Sequence, residues 1–119
     1  MDGLRTREYL PMVYICSPYS GDTEHNTSKA RKYSRFAYER RNIPMTPHLL
    51  FPQFMSDDEP TERADVMHFN YVLLGTCDEL WVFGEKVSEG MAHEIGIAKK
   101  QKLPIRYFTE DLEEVKRDD

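Results

Sequence analysis

The stretch SEGMAHEIGIAKK, Ser88 to Lys100, places an ionisable group where an apolar one is expected. On a helix, Met91, Ile95 and Ala98 share one face at i, i+4 and i+7, and Glu94 lies on that same face. A second polar group does this one helix earlier. Over Thr61 to Thr76, Val66, Phe69, Leu73 and Thr76 form one stripe, and Met67, Asn70, Leu74 and Cys77 form an adjacent one that carries Asn70 inward. Two loops add hydroxyls. SPYSGD supplies Ser17, Ser20 and Gly21, and GEKVSEG supplies Ser88, which fits the N-cap of the Glu94 helix, with Gly90 in its first turn. The free N–H groups at such a helix start favour an anion. The structural alternatives are a carboxylate that bends out to a cation and loop residues kept only for their turns.

These residues need a scaffold, and the chain alternates element types. MVYIC (Met12 to Cys16) and ELWVF (Glu79 to Phe83) are short runs of strand formers, and IPMTP (Ile43 to Pro47) reads as an edge strand because its prolines cannot donate to a ladder. LPIRYF (Leu103 to Phe108) is a last strand. Helices are expected from about Thr23 to Arg41, over Thr61 to Thr76, and from Ser88, with the segment through HLLFPQF as an irregular turn. The order βαβαβαβ implies a small doubly wound α/β fold, a parallel sheet with helices on both faces. In such sheets ligands bind at the carboxyl ends of the strands, where the two loops fall. The acidic run EDLEEVKRDD is expected to add one helical turn and then a solvated tail over 109–119.

Composition narrows the partners. With 119 residues the chain suits one domain, 1–119, whose core runs from about 12 to 108. A net charge of -5 leaves no basic surface for a nucleic-acid polymer, so a small ligand is expected. No run approaches the roughly 20 apolar residues of a membrane helix, and MDGLRTREYLP lacks the apolar core of a signal peptide, so a cytoplasmic protein without a membrane partner is expected. Cys16 and Cys77 stand far apart and read as small buried hydrophobes. His25, His48, His68 and His93 lack ligand spacing, so no metal is expected and no cofactor is called for.

SPYSG after the first strand, CDELWVFG as the third and SEGMAHEIGIA at the helix start resemble the nucleoside 2-deoxyribosyltransferase superfamily, which includes deoxynucleoside monophosphate N-glycosidases. The sharpest match is S-x-G-x-x-x-E-x-G-x-A, met by Ser88, Gly90, Glu94, Gly96 and Ala98, and the resemblance spans about Met12 to Phe108. It implies that Glu94 attacks the anomeric carbon of a deoxyribosyl group, leaving a covalent glycosyl-enzyme. Transfer to a second base makes a transferase; transfer to water makes a hydrolase. It also implies that Tyr19 holds the carboxylate, that Ser17, Ser20, Gly21, Ser88 and Gly90 hold a 5′-hydroxyl or 5′-phosphate, and that His48 and Phe51 border the base. Relatives commonly act as homo-oligomers, so at least a dimer is expected.

One position departs from the resemblance. Relatives that cleave glycosidic bonds usually carry an aspartate eight residues before the acid that opens the third strand, and counting back from Asp78 gives Asn70. An amide keeps its hydrogen bonds but cannot donate a carboxylic proton, a form of help typically worth ~10²- to 10⁴-fold. Two function classes follow: an N-glycosidase or deoxyribosyltransferase using Glu94, or a non-catalytic module that sequesters a nucleotide. Asp78 itself is expected to brace the strand entry.

Overall fold

The computed structural model describes residues 8–117. Strands β1 (Met12–Cys16), β2 (Ile43–Met45), β3 (Glu79–Phe83) and β4 (Ile105–Phe108) pair in parallel in the order β2-β1-β3-β4. Helices α1 (Thr23–Glu39), α2 (Pro60–Gly75) and α3 (Glu89–Lys100) make the crossovers. The doubly wound α/β arrangement is therefore present. From β1 the chain moves outward to β2, then crosses back to β3, so strand order reverses between β1 and β3. That point is where an open parallel sheet offers a crevice.

The strands have a side-chain period of two, and both sides of the pleat are buried. Val13, Ile15, Trp81, Phe83 and Phe108 point to one face and pack with Tyr33, Phe36 and Ala37 of α1. Tyr14, Cys16, Leu80, Val82 and Tyr107 point to the other and pack with Leu74 of α2 and with Met91, Ile95 and Ala98 of α3. Asp78 braces the entry to β3 as expected: its Oδ2 accepts from the Met12 backbone N–H and the Tyr9 hydroxyl, both at 2.8 Å.

Helix starts follow the expected chemistry. Asp22 caps α1 by accepting from the His25 N–H, and Ser88 caps α3 by accepting from the Met91 N–H. Glu59 caps α2, with Pro60 at its first position, where no N–H is needed. The segment after β2 folds as two 3₁₀ turns, Pro47–Leu49 and Phe51–Gln53.

Two expectations change. The stripe drawn on α2 is rotated and shortened: Leu74 is fully buried, Val66, Asn70 and Leu73 are half-buried, and Met67 and Phe69 lie outside. The helix packs through its C-terminal half, by Leu73 and Leu74, so its N-terminal half stands off the sheet and walls an open space. The acidic C-terminal run is also not a helical turn. Leu112 adopts φ 72, outside the helical region, and packs half-buried against the α1-side core. The chain then reverses into β5 (Glu114–Val115), antiparallel to β4. Arg106 fixes that register by donating to both carboxylate oxygens of Glu114, at 2.9 and 2.7 Å. Asp118 and Asp119 of the expected tail lie outside the described residues.

Candidate functional site

The space beside α2 is a cleft of about 500 Å³, in the range of small-ligand pockets. It opens at the carboxyl ends of β1 and β3, bounded by the loop after β1, the 3₁₀ segment, the inner side of α2 and the first turns of α3. Ser17, Tyr19, Ser20, His48, Phe51, Asn70, Ser88, Gly90 and Glu94 all line it. Sequence positions as distant as Ser17 and Glu94 are thus brought together. Gly21 does not line the cleft. Its φ of 95 gives it a turn role, and Asn26 secures that turn by donating to the carbonyls of Tyr19 and Ser20.

Glu94 is 7% exposed, and its carboxylate accepts a 2.6 Å hydrogen bond from the Tyr14 hydroxyl. Burial raises its pKa to about 7, because the charged form loses solvation; Tyr14 and Cys16 oppose this only in part. Tyr14 itself is pushed far above the usual phenol range by burial and by the neighbouring carboxylate, so it remains a donor. Glu94 is thereby held in one direction and poised to change charge near neutrality, as suits a nucleophile or an acid–base group.

The partner of Glu94 is a correction to the sequence reading. The expected tyrosine was Tyr19, but Tyr19 packs against His48 across the cleft, ring centroids 5.1 Å apart, and Tyr14 from the middle of β1 makes the bond. The signal for Tyr14 was present in the strand's alternation, which puts Tyr14 and Cys16 on the α3 face.

Unmet hydrogen-bonding capacity marks the cleft as well. Ser17 Oγ, His48 Nδ1 and Asn70 Oδ1 are buried, have no protein partner and belong to its lining. Buried polar atoms are normally paired, so such a cluster is a place prepared for ligand atoms. Burial also lowers the His48 pKa to about 4, against a smaller opposing pull from Asp57, leaving a neutral imidazole at physiological pH. Asp57, Arg63 and His93, none of them singled out from sequence, also line the cleft. They sit among ordinary surface charges in the sequence, and only the fold brings these exposed residues to the border of the cleft. Among the described residues, no group of three or more His, Cys, Asp or Glu could hold a metal ion.

A second depression, of about 540 Å³, lies at the same sheet edge on the α1 side, where Lys29 and Glu110 are paired at 3.0 Å. None of the buried unpartnered atoms lines it, so the cleft holding Glu94 is the better candidate.

Fold and site together define a doubly wound α/β domain with a buried carboxylate facing a ligand-sized cleft. The chain belongs to the family described as a domain of unknown function (DUF7768), which matches residues 11–108. Among curated proteins, none matches the sequence. Solved structures do match, among them a 2-deoxyribosyltransferase from the psychrotolerant bacterium Bacillus psychrosaccharolyticus, characterised as a biocatalyst for nucleoside synthesis. The TM-score is 0.69 at 15% identity, covering 82% of this chain and 72% of that one. Likeness at that identity shows the shared fold.

Proposed function

We propose that the protein binds a nucleoside or nucleotide and cleaves or transfers its N-glycosidic bond, with Glu94 as the attacking carboxylate. The observation that carries this reading is the Tyr14–Glu94 pair, a buried carboxylate fixed by a 2.6 Å hydrogen bond at the wall of the cleft. A solvated surface carboxylate would need neither the burial nor the partner. Ser17, Ser20, Ser88 and Gly90 supply hydroxyl and N–H donors for the sugar end, and Tyr19, His48 and Phe51 supply a ring-stacking wall for the base. The fold shared with a 2-deoxyribosyltransferase supports glycosyl chemistry on a nucleoside at the level of the fold.

The test is incubation of the full chain with a panel of deoxynucleosides and deoxynucleotides, with chromatography for free base. Glu94→Gln should abolish release while leaving ligand binding within about tenfold, because the amide keeps the shape and loses the attacking charge. Undiminished release from that variant would remove Glu94 from the role. A second reading is favoured by Asn70: an amide facing the cleft suits a module that holds a nucleotide without turning it over. Tight binding with no base release from any member of the panel would select that reading.

The assembly belongs to the same proposal. Phe54 at 68% exposed, Tyr71 and Val72 at 50% each and Leu50 at 48% leave apolar groups on the surface on and beside α2. A second copy covering this surface would also close the outer wall of the cleft, to which Tyr71 and Met67 contribute. Light scattering should report at least a dimer, and a 14 kDa species at all concentrations would refute it.

A further inference from the structure

Cleavage of an N-glycosidic bond leaves an electron pair on the base nitrogen, and a neutral base then needs a proton. The buried groups of the cleft other than Glu94 offer poor sources for one, and His93, which also lines it, is exposed. Asn70 is an amide, whose Oδ1 is buried without a protein partner and can only accept. His48 is held neutral by burial, and its Nδ1 is likewise unpartnered. Tyr14 is committed to Glu94. The charged lining residues are Asp57, Glu89 and Glu94 against Arg63, with His93 beside them, so negative charge predominates. Arg63 lies seven residues before Asn70 on α2, two turns and roughly 10 Å along the axis. That single guanidinium is set against three carboxylates in the lining. The walls, meanwhile, include the rings of Tyr19, Phe51 and Tyr71, which attract a cation over their faces.

A site whose buried unpartnered groups are a hydroxyl, a neutral imidazole and an amide, whose charged lining is mostly carboxylate and which presents aromatic faces suits a leaving group that is already positive. Resting on the reading of Glu94 above, we infer that the preferred substrate is a nucleoside or nucleotide with a cationic base: a quaternised heterocycle such as an N-alkylated purine or a pyridinium.

The chemistry balances without a general acid. A Glu94 oxygen bonds to C1′ as the C1′–N bond breaks. That bond's electron pair stays on the heterocycle and cancels its positive charge, so it departs neutral. Water then bonds to C1′, the ester electrons return to the Glu94 carboxylate, and the surplus proton passes to solvent. Asn70 Oδ1 and the ring walls hold the departing heterocycle; neither has to give up a proton.

The test compares 7-methyl-2′-deoxyguanosine with 2′-deoxyguanosine, and nicotinamide riboside with a neutral C5-substituted uridine, subtracting uncatalysed loss. The full chain should release the cationic bases with kcat/KM at least about a hundredfold higher. Intrinsic lability alone would also give a preference, so the deciding arm is Asn70→Asp. A new acid should raise turnover of the neutral members far more than that of the cationic ones, narrowing the ratio. Binding to Glu94→Gln keeps the test open should Asn70→Asp not fold: the cationic nucleoside should bind more tightly than its neutral partner, by an amount that shrinks as salt rises. A ratio near one, or equal binding of the pair, overturns the inference and leaves the Glu94 reading intact. Absence of Glu94-dependent release from every substrate overturns both.

Discussion

The two faces of one sheet are built to opposite ends. On the α1 side the strands present an aromatic stack: Tyr33 lies 4.3 Å from Phe83, Phe83 4.9 Å from Phe108, and Trp81 5.0 Å from Phe108, centroid to centroid. Arg106 covers Trp81 and Phe108, Arg40 covers Phe36, and the Trp81 Nε1–H donates to Glu79 at 2.7 Å. On the α2 and α3 side, residues one position along the same strands meet a helix that stands off, a buried carboxylate and three unpartnered polar atoms. The closed face holds the fold; the open face spends packing to keep a ligand site. A buried carboxylate and unmet hydrogen bonds gather where function needs them.

The comparison is broken most strongly from the closed face. Phe108→Ala should cost about 3–5 kcal/mol, because its ring meets Phe36, Trp81 and Phe83 and the cavity left cannot collapse against other rings. Urea titration should show a lower midpoint at an unchanged slope. Whatever fraction stays folded should bind ligand normally, since Phe108 does not line the cleft. Weakened binding per folded molecule would mean that the two faces are not independent.

On the open face the largest effect should be pH-dependent and of opposite sign. The Glu94 pKa is raised from 4.5 to about 7, so the folded state holds this proton more tightly than the unfolded chain. The stabilisation is fully present below pH 4.5 and is lost as pH rises through about 7. Glu94→Gln removes that loss. At pH 8 the variant should be more stable than the parent by up to about 3 kcal/mol, and at pH 4 the two should nearly coincide. Base release by the parent should rise through the same window, as the attacking carboxylate forms. Melting curves at both pH values check the first claim; a variant less stable at pH 8 would show that the Tyr14 bond outweighs the desolvation.

What the sequence disclosed follows the same division. The strand runs, the Ser88 cap and the inward Glu94 were legible because hydrophobic period and capping are local signals. The path of α2 was not. Its apolar residues run round the whole helix, so no stripe is dictated, and which side meets the sheet depends on packing by Leu73 and Leu74. β5 escaped because two residues, one acidic, make no strand pattern; a bidentate Arg106–Glu114 pair across eight residues creates it. Tyr14 sits within a run of strand formers and is core, but the atom that matters lies at the end of its ring.

Asn70→Asp sharpens the contrast further by adding a second acid to the open face. Release of neutral bases should rise by about ten- to a thousandfold if proton donation is the missing step, and the gain should fade as pH climbs past the new carboxyl's pKa. Charging a half-buried carboxyl also costs stability, so melting temperature should be followed beside rate. A folded variant that binds deoxynucleotide and releases no more base than the parent would move the weight to the binding module.

The smallest effect tests the division most directly, by making matched polar deletions on the two faces. Glu79→Ala strips the acceptor from Trp81, leaving an indole N–H in a residue only 1% exposed, and should cost about 1–3 kcal/mol. Ser17 is equally buried at 1% exposed, yet its Oγ has no protein partner to lose. Ser17→Ala should therefore leave stability within about 1 kcal/mol of the parent, on the stabilising side, since a desolvated hydroxyl is removed and no bond is broken. The same change should weaken ligand binding, because the hydroxyl's partner is supplied by the ligand. A Ser17→Ala variant as destabilised as Glu79→Ala would mean that Ser17 already serves the fold. The unpaired atoms of the open face would then be part of the scaffold, and the cleft would lose one of its marks as a binding site.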